Sequence, residues 1–266
     1  MDGPQSDPTQ RFSNRVADYV RFRPRYPTAL LDLLRTEMNL RPDHVMADVG
    51  SGTGFLSELF LAAGHHVIGI EPNAEMRTAG EQALAKWKAF TSIAGTAEAT
   101  TLAAQTADFV VAGQAFHWFK PDEARREFQR ILRPSGWVVL VWNDRKDHAA
   151  GVYGAYEKII ADFRLDAAAD KRLLLTNNSP ELEAFFAPGN FGHRVIPGVT
   201  QEFDFAALLG RLLSSSYAPT AGHPRHPAMV AALRQLFDEY ETGGRIRFEH
   251  VTEVFYGQLG ELPTSR

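Results

Sequence analysis

Three glycines at alternate positions, Gly50, Gly52 and Gly54, follow the apolar run Val45-Met46-Ala47-Asp48-Val49 and lead at once into a further apolar segment. A strand ending in such a bend leaves backbone N–H groups close to a ligand, and a helix starting behind it adds partial positive charge. The pattern predicts a cofactor seat. Its G-x-G-x-G spacing differs from the G-x-G-x-x-G of dinucleotide binders, whose third glycine lets helix and strand pack beneath a pyrophosphate. Phe55 stands at that position here, which points to a ligand without a pyrophosphate, and the loop lacks the G-x-x-x-x-G-K-[ST] signature of nucleoside triphosphate sites. Two carboxylates frame the bend. Asp48 lies two residues before the first glycine, placed to orient the loop or meet a ligand amine. Glu71 closes the next apolar run about 20 residues on, the distance at which an acid accepts hydrogen bonds from both ribose hydroxyls of a nucleoside.

Ala47-Asp48-Val49-Gly50-Ser51-Gly52-Thr53-Gly54 resembles the first motif of the class I S-adenosylmethionine-dependent methyltransferases. The resemblance implies S-adenosylmethionine as cofactor and S-adenosylhomocysteine as product, with Asp48, Gly50, Ser51, Gly52 and Gly54 around the loop and Glu71 on the ribose. In that family the loop after the third strand reaches the adenine through a side-chain acceptor and a backbone N–H, which here falls on Thr96 to Glu98. Many members carry Asp where this chain has Thr96, so Ala97 and Glu98 are the candidates. Two further strings, Phe12 to Pro27 and Gln114-Ala115-Phe116-His117-Trp118-Phe119, resemble a small-molecule branch that includes the trans-aconitate methyltransferases. That branch lays its N-terminal arm over the cofactor, which implies contacts from Tyr19 and Arg23 to the methionine end, joined by Gln114. His117 and Trp118 are then expected in the cleft between donor and acceptor. Arg211 and Ser214 to Tyr217 resemble its C-terminal half, where they bind an acceptor carboxylate or cap a helix.

The elements that must hold these residues read as alternating strands and helices. Apolar runs at Val45–Val49, His66–Ile70, Phe90–Ile93, Ala107–Ala112 and Trp137–Trp142 predict five parallel strands. Between them, helical periodicity is expected from Thr53 to Ala63, after Pro72, and from Pro121 to Leu132. Residues 194–205 and 245–256 predict two more strands, with helices over 206–213 and 227–241. The expected fold is α/β, a doubly wound, mostly parallel seven-stranded Rossmann-like sheet with an antiparallel edge strand and a helical insertion covering the substrate. Residues 1–10 are polar and expected to be mobile; residues 11–266 form one domain. Its parts are a helical arm (11–40), a cofactor-binding half (41–143), the insertion (144–192), with helices at 152–163 and from Ser179, and a C-terminal part (193–266).

Composition sets the outer bounds. The chain has 266 residues, a net charge of -4 and no cysteine, so it has no disulfide framework, no thiolate nucleophile and no cysteine-ligated metal. The nine histidines lack carboxylate partners at ligand spacing, and no metal is expected. An acidic balance gives no general attraction to nucleic acid, and no apolar stretch reaches the length of a membrane span. The expectation is a cytoplasmic enzyme that transfers a methyl group to a small molecule, at the oxygen of a carboxylate or hydroxyl, with His117 as candidate base for the hydroxyl case. Two other classes share parts of the pattern: a nucleotide-linked oxidoreductase, for which Glu71 serves equally well, and a cofactor-binding protein without transfer activity.

Overall fold

The computed structural model describes residues 20–145, 151–165, 180–186, 191–215 and 217–260. Tyr19, the 1–10 segment and parts of the 144–192 insertion lie outside the described residues. In chain order the elements are α1 (Ala29–Met38), β1 (Val45–Val49), α2 (Phe55–Ala62), β2 (His66–Ile70), α3 (Ala74–Leu84), β3 (Phe90–Ile93), β4 (Ala107–Gly113), α4 (Pro121–Ile131) and β5 (Leu132–Arg145). There follow α5 (Gly151–Phe163), α6 (Pro180–Phe186), β6 (Phe191–Phe203), α7 (Phe205–Leu213), α8 (His226–Tyr240) and β7 (Ile246–Gly257).

The strands form one seven-stranded sheet in the order β3-β2-β1-β4-β5-β7-β6. The pairs from β3 through to β5 are parallel, whereas β7 runs antiparallel to both β5 and β6. The antiparallel strand expected at this end of the sheet is thus β7, inserted one place inward, and β6 takes the outermost position. The order reverses between β1 and β4, which opens a crevice at their carboxyl ends, where open α/β sheets bind ligands.

Alternation along the central strands divides the core into two layers. Val110, Ala112, Leu140 and Trp142 face one side with Phe116, Phe128, Phe185 and Phe186. Phe109, Val111, Val139 and Val141 face the other with Leu30, Leu34, Leu56 and Phe60. Both faces are covered, so the strands are apolar throughout rather than alternating with polar residues. A third cluster, with Tyr156, Leu208, Leu212, Met229, Leu233 and Phe248, joins α5, α7 and α8 to the end of the sheet.

The insertion is divided between these layers. Phe185 of α6 packs edge-on against Phe116 and Phe128, 4.8 and 6.0 Å between ring centroids, which makes α6 a layer helix of the main sheet. α5 instead packs in the C-terminal cluster, its buried Tyr156 against Phe248. Strand β5 is longer than its apolar stretch suggests, because a register shift between Ala107 and Phe109 lets Leu132 pair ahead of the main ladder and the turn 133–136 bulge outward.

Candidate functional site

The bend between β1 and α2 takes its shape from backbone angles that L side chains rarely adopt. Gly50, Gly52 and Gly54 have φ of 71°, 56° and 85°, so glycine is required at alternate positions. A Cβ on Gly50 would lie 2.6 Å from the Ala115 Cβ, and one on Gly54 would lie 2.6 Å from Leu84. α2 therefore starts at Phe55, two residues later than its periodicity predicts, with Gly54 as its cap.

Glu71, at the end of β2, is bound from two sides. Its Oε2 accepts from the Gly52 N–H at 2.9 Å and its Oε1 from the Asn73 N–H at 2.9 Å. Asn73 in turn caps α3, its Oδ1 accepting from the Met76 N–H at 2.8 Å. The carboxylate is fixed at the cavity wall, and each oxygen keeps a lone pair for a ligand hydroxyl. Burial raises its pKa, opposed by these N–H groups.

Asp48 is buried at 1% exposure. Its Oδ2 accepts from the Ser57 hydroxyl at 2.6 Å, and its Oδ1, buried in the wall of a polar recess, has no hydrogen-bond partner. Burial lifts this carboxyl to about 7, with the nearby Glu71 adding to the effect and Ser57 opposing it. An orphaned buried acceptor is costly, and a cationic or N–H-bearing ligand group would satisfy it.

Two adjoining cavities occupy the crevice. The larger, about 310 Å³, is walled by Gly52, Glu71, Met76, Ala97, Gln114 and Trp118, with Thr96, Glu98 and Phe119 at its far side. The smaller, about 40 Å³, lies between the bend and the arm and is bordered by Arg23, Tyr26, Asp48, Gln114, Asn143 and Arg211. Gly50, Gly52, Gly113 and Gln114 line both. The larger carries largely apolar walls with two acids, Glu71 and Glu98, as suits a nucleoside, and the smaller carries both acidic and basic groups, as an amino-acid end needs.

The structure thus brings together Arg23, Asp48, Gly50, Ser51, Gly52, Glu71, Ala97, Glu98 and Gln114 around one crevice. Gly54 stands behind the bend as a spacer, and Tyr19 lies outside the described residues. Glu98 accepts from the Lys120 N–H at 2.8 Å, which ties the loop after β3 to the start of α4. Gln114, at φ 57°, donates from Nε2 to the Asn143 carbonyl at 2.9 Å. The aromatic string divides: Phe116 is core, whereas Trp118 and Phe119 line the larger cavity. His117 sits beside Trp118, 4.8 Å between ring centroids, and is not among the residues lining either cavity.

Several site residues had no signal strong enough to be picked from the sequence. Asn143, 4% exposed, donates from Nδ2 to the Arg25 carbonyl at 3.1 Å and accepts from the Thr252 hydroxyl at 2.7 Å. It is the first polar residue after the buried run of β5, beside the switch point, and that position was its only mark. Tyr26 and Asn73 are likewise identified only by the folded contacts.

Residues 47–140, which span β1 to β5 and all the crevice loops between them, match a family model described as a methyltransferase domain. Over that stretch, rather than over the whole chain, the sequence is similar to a methyltransferase domain. A stretch of 157 residues is 32% identical to an uncharacterised methyltransferase-like protein of Schizosaccharomyces pombe, covering 59% of this chain and 60% of that one. Another of 146 residues is 35% identical to an uncharacterised methyltransferase of Mycobacterium tuberculosis, covering 55% and 57%. The match spans less than two thirds of each relative. Among solved structures, a protein of Anaeromyxobacter dehalogenans superposes with a TM-score of 0.59 at 22% identity over 90% of this chain and 98% of that one. Haemonchus contortus phosphoethanolamine N-methyltransferase 2, solved with phosphomonomethylethanolamine and S-adenosylhomocysteine, gives 0.55 at 14% identity over 96% and 61%. At these identities the structural likeness is one of fold, the seven-stranded Rossmann-like sheet described above.

Proposed function

We propose that this protein transfers the methyl group of S-adenosylmethionine to a small-molecule acceptor at an oxygen atom. The observation that carries the reading is the Glu71 carboxylate, held by the Gly52 and Asn73 N–H groups beside a glycine bend with Phe55 where the third glycine of a dinucleotide motif would stand. Glu71 would accept from the ribose hydroxyls, Ala97 and Glu98 would meet the adenine edge, and Asp48, Arg23 and Gln114 would hold the methionine end. When bound, S-adenosylmethionine supplies a methyl group on a positively charged sulfur, already activated toward displacement. The chain's own contribution is to align, exclude water and leave the acceptor oxygen free to attack, which in general removes several kcal/mol of barrier.

A carboxylate acceptor arrives ionised at neutral pH and needs no base, whereas a hydroxyl must lose a proton; His117, the base expected from the sequence, lines neither cavity, which favours the carboxylate. Among the described residues no helix is long and apolar enough to cross a membrane and no cluster of ligating side chains suits a metal. A cytoplasmic enzyme acting on a diffusible substrate fits the reading. The decisive experiment is equilibrium binding of S-adenosylhomocysteine and NADH to the purified protein. Micromolar retention of the first without the second is expected; retention of NADH alone would return the fold to the oxidoreductases.

A further inference from the structure

Tyr26 stands where the two cavities meet. A Cβ built on Gly113 would collide with the Tyr26 hydroxyl and lie 2.8 Å from the ring carbon that bears it, so the phenol fills the space a side chain at Gly113 would need. Gly113 ends β4 and lines both cavities, and Tyr26 lines the smaller. The ring packs with the apolar layer that contains Leu56 and Phe60, and the hydroxyl is the end that lies over Gly113. The backbone is pinned on either side of it. The Arg25 carbonyl accepts from Asn143 at 3.1 Å, and the Pro27 carbonyl accepts from the Leu30 N–H of α1 at 3.1 Å. Pro24 and Pro27 restrict the same short stretch further, so the chain places the ring before any ligand arrives.

With a nucleoside in the larger cavity and an amino-acid end in the smaller, the atom that joins them lies beside the residues common to both, Gly50, Gly52, Gly113 and Gln114. In the methyl donor that atom is the sulfur, and its charge is what the reaction changes: a sulfonium before transfer, a neutral thioether after. The smaller cavity is poorly furnished for a cation. Arg23 and Arg211 border it, and the one acid lining it among the described residues, Asp48, is lifted to about 7 and is only partly ionised at neutral pH. A phenol oxygen at the junction supplies what is missing. It keeps lone pairs whichever way its proton turns, and the hydrogens of a methyl group on positive sulfur are polarised enough to make C–H···O contacts with it.

We propose that Tyr26 is a specificity-determining residue at the sulfur, its hydroxyl oxygen facing the charged methyl sulfonium, so that the crevice holds the methylated donor more firmly than the neutral product. The effect is directional. Methyl transfer removes the charge that the oxygen faces, and the spent cofactor loses that contact and makes way for the next donor. Gly113 belongs to the same device, because a side chain there would push the hydroxyl away from the junction. This rests on the methyl-transfer reading of the same crevice and deepens it by naming the group that tells donor from product.

The test is calorimetric binding of S-adenosylmethionine, sinefungin and S-adenosylhomocysteine to the wild type and to Tyr26→Phe, which keeps the ring and removes the oxygen. Sinefungin carries an ammonium where the donor has its methyl sulfonium, so it shares the charge without the reactive group. Tyr26→Phe should weaken the two charged ligands by about three- to tenfold, the size of a charge-assisted C–H···O contact, and S-adenosylhomocysteine by less than about twofold. Gly113→Ala should lower the ratio of S-adenosylmethionine to S-adenosylhomocysteine affinity in the same sense, and in the double variant that ratio should fall no further. Should Gly113→Ala not fold, Tyr26→Phe decides alone. A tyrosine that only supports the arm, or that holds the amino-acid end, would weaken all three ligands together. Equal loss of the three, or no loss for the charged pair, overturns the proposal and leaves the methyl-transfer reading standing, whereas a wild type that retains none of the three overturns both.

Discussion

Glu71 does two things at once, and that doubling decides what its removal costs. Its carboxylate closes the glycine bend through Gly52 and caps the turn into α3 through Asn73. Glu71→Gln keeps the shape but replaces one acceptor oxygen with a donor, so the bend N–H or a ribose hydroxyl loses its partner. A hydrogen bond to a charged group is worth about 1.5–3 kcal/mol, which predicts a loss of roughly 10- to 150-fold in S-adenosylhomocysteine affinity by calorimetry. A loss below threefold would mean the ribose does not sit there. His117 makes the opposite prediction, since it lines neither cavity. If the acceptor oxygen is already ionised, His117→Ala should leave the transfer rate within about threefold, whereas a base contributes roughly 100-fold or more; a loss of that size would make the acceptor a hydroxyl. Asp48 provides a signature in pH. Its folded pKa of about 7 lies above the ordinary 3.8, so between those values the native state holds a proton that the unfolded chain has released. Stability should accordingly fall as pH rises through that window and level off above it, and the raised Glu71 carboxyl acts in the same direction. Asp48→Asn, which still accepts from Ser57, should flatten most of that fall in melting temperature between about pH 5 and pH 7. An unchanged slope would place the proton elsewhere.

At the scale of elements, the site depends on how closely α3 lies beneath the bend. Gly80 faces the loop from the middle of α3, and a Cβ there would sit 3.0 Å from the Gly52 carbonyl oxygen and 3.4 Å from the Thr53 carbonyl carbon. In an open helix, Gly→Ala gains about 0.5–1 kcal/mol from the chain's lost freedom in the unfolded state. Here the methyl meets backbone, which does not swing away, and overpacking of about 1–3 kcal/mol outweighs that gain. Gly80→Ala should lower the melting temperature by a few degrees and weaken S-adenosylhomocysteine several-fold; a more stable protein with unchanged affinity would show that the helix is free to shift. This approach was invisible in the sequence, where Gly80 reads as an indifferent helical glycine. The bend itself was legible because positive φ at alternate residues demands glycine, and so were the five parallel strands, because strands covered on both faces must be apolar throughout. The place of β7 was not legible: pairing with β5 rather than beyond β6 depends on long-range ladders that local pattern does not encode. The bulge at 133–136 escaped for the same reason, since Pro134 and Gly136 read as an ordinary turn.

Across the whole molecule, one buried amide links parts that are remote in sequence. Asn143 ends the buried stretch of β5, and it holds the arm through the Arg25 carbonyl, β7 through Thr252 and the loop after β4 through its own carbonyl to Gln114. The arm is also pressed onto the C-terminal half, where the Phe22 ring covers Gly210 of α7 and the Phe22 carbonyl accepts from Gln201 of β6. Arg23 reaches the cofactor crevice only because both ends of this path are fixed. Asn143→Ala would strand the Arg25 carbonyl and the Thr252 hydroxyl, at about 1–3 kcal/mol for the buried groups left unpaired. The loss should not be spread evenly, because the arm has few other ties to the sheet and opens locally before the core does. Hydrogen exchange is the measurement that resolves this: amides of residues 20–27 should exchange at least tenfold faster in Asn143→Ala, with those of β1 and β4 accelerated by no more than the lower global stability accounts for. S-adenosylhomocysteine affinity should fall in step with the arm's opening, and adding the ligand should restore its protection. Uniform acceleration across arm and sheet would show instead that Asn143 supports the core as a whole, and that the arm's position over the crevice is secured by its contacts to α7 and β6 alone.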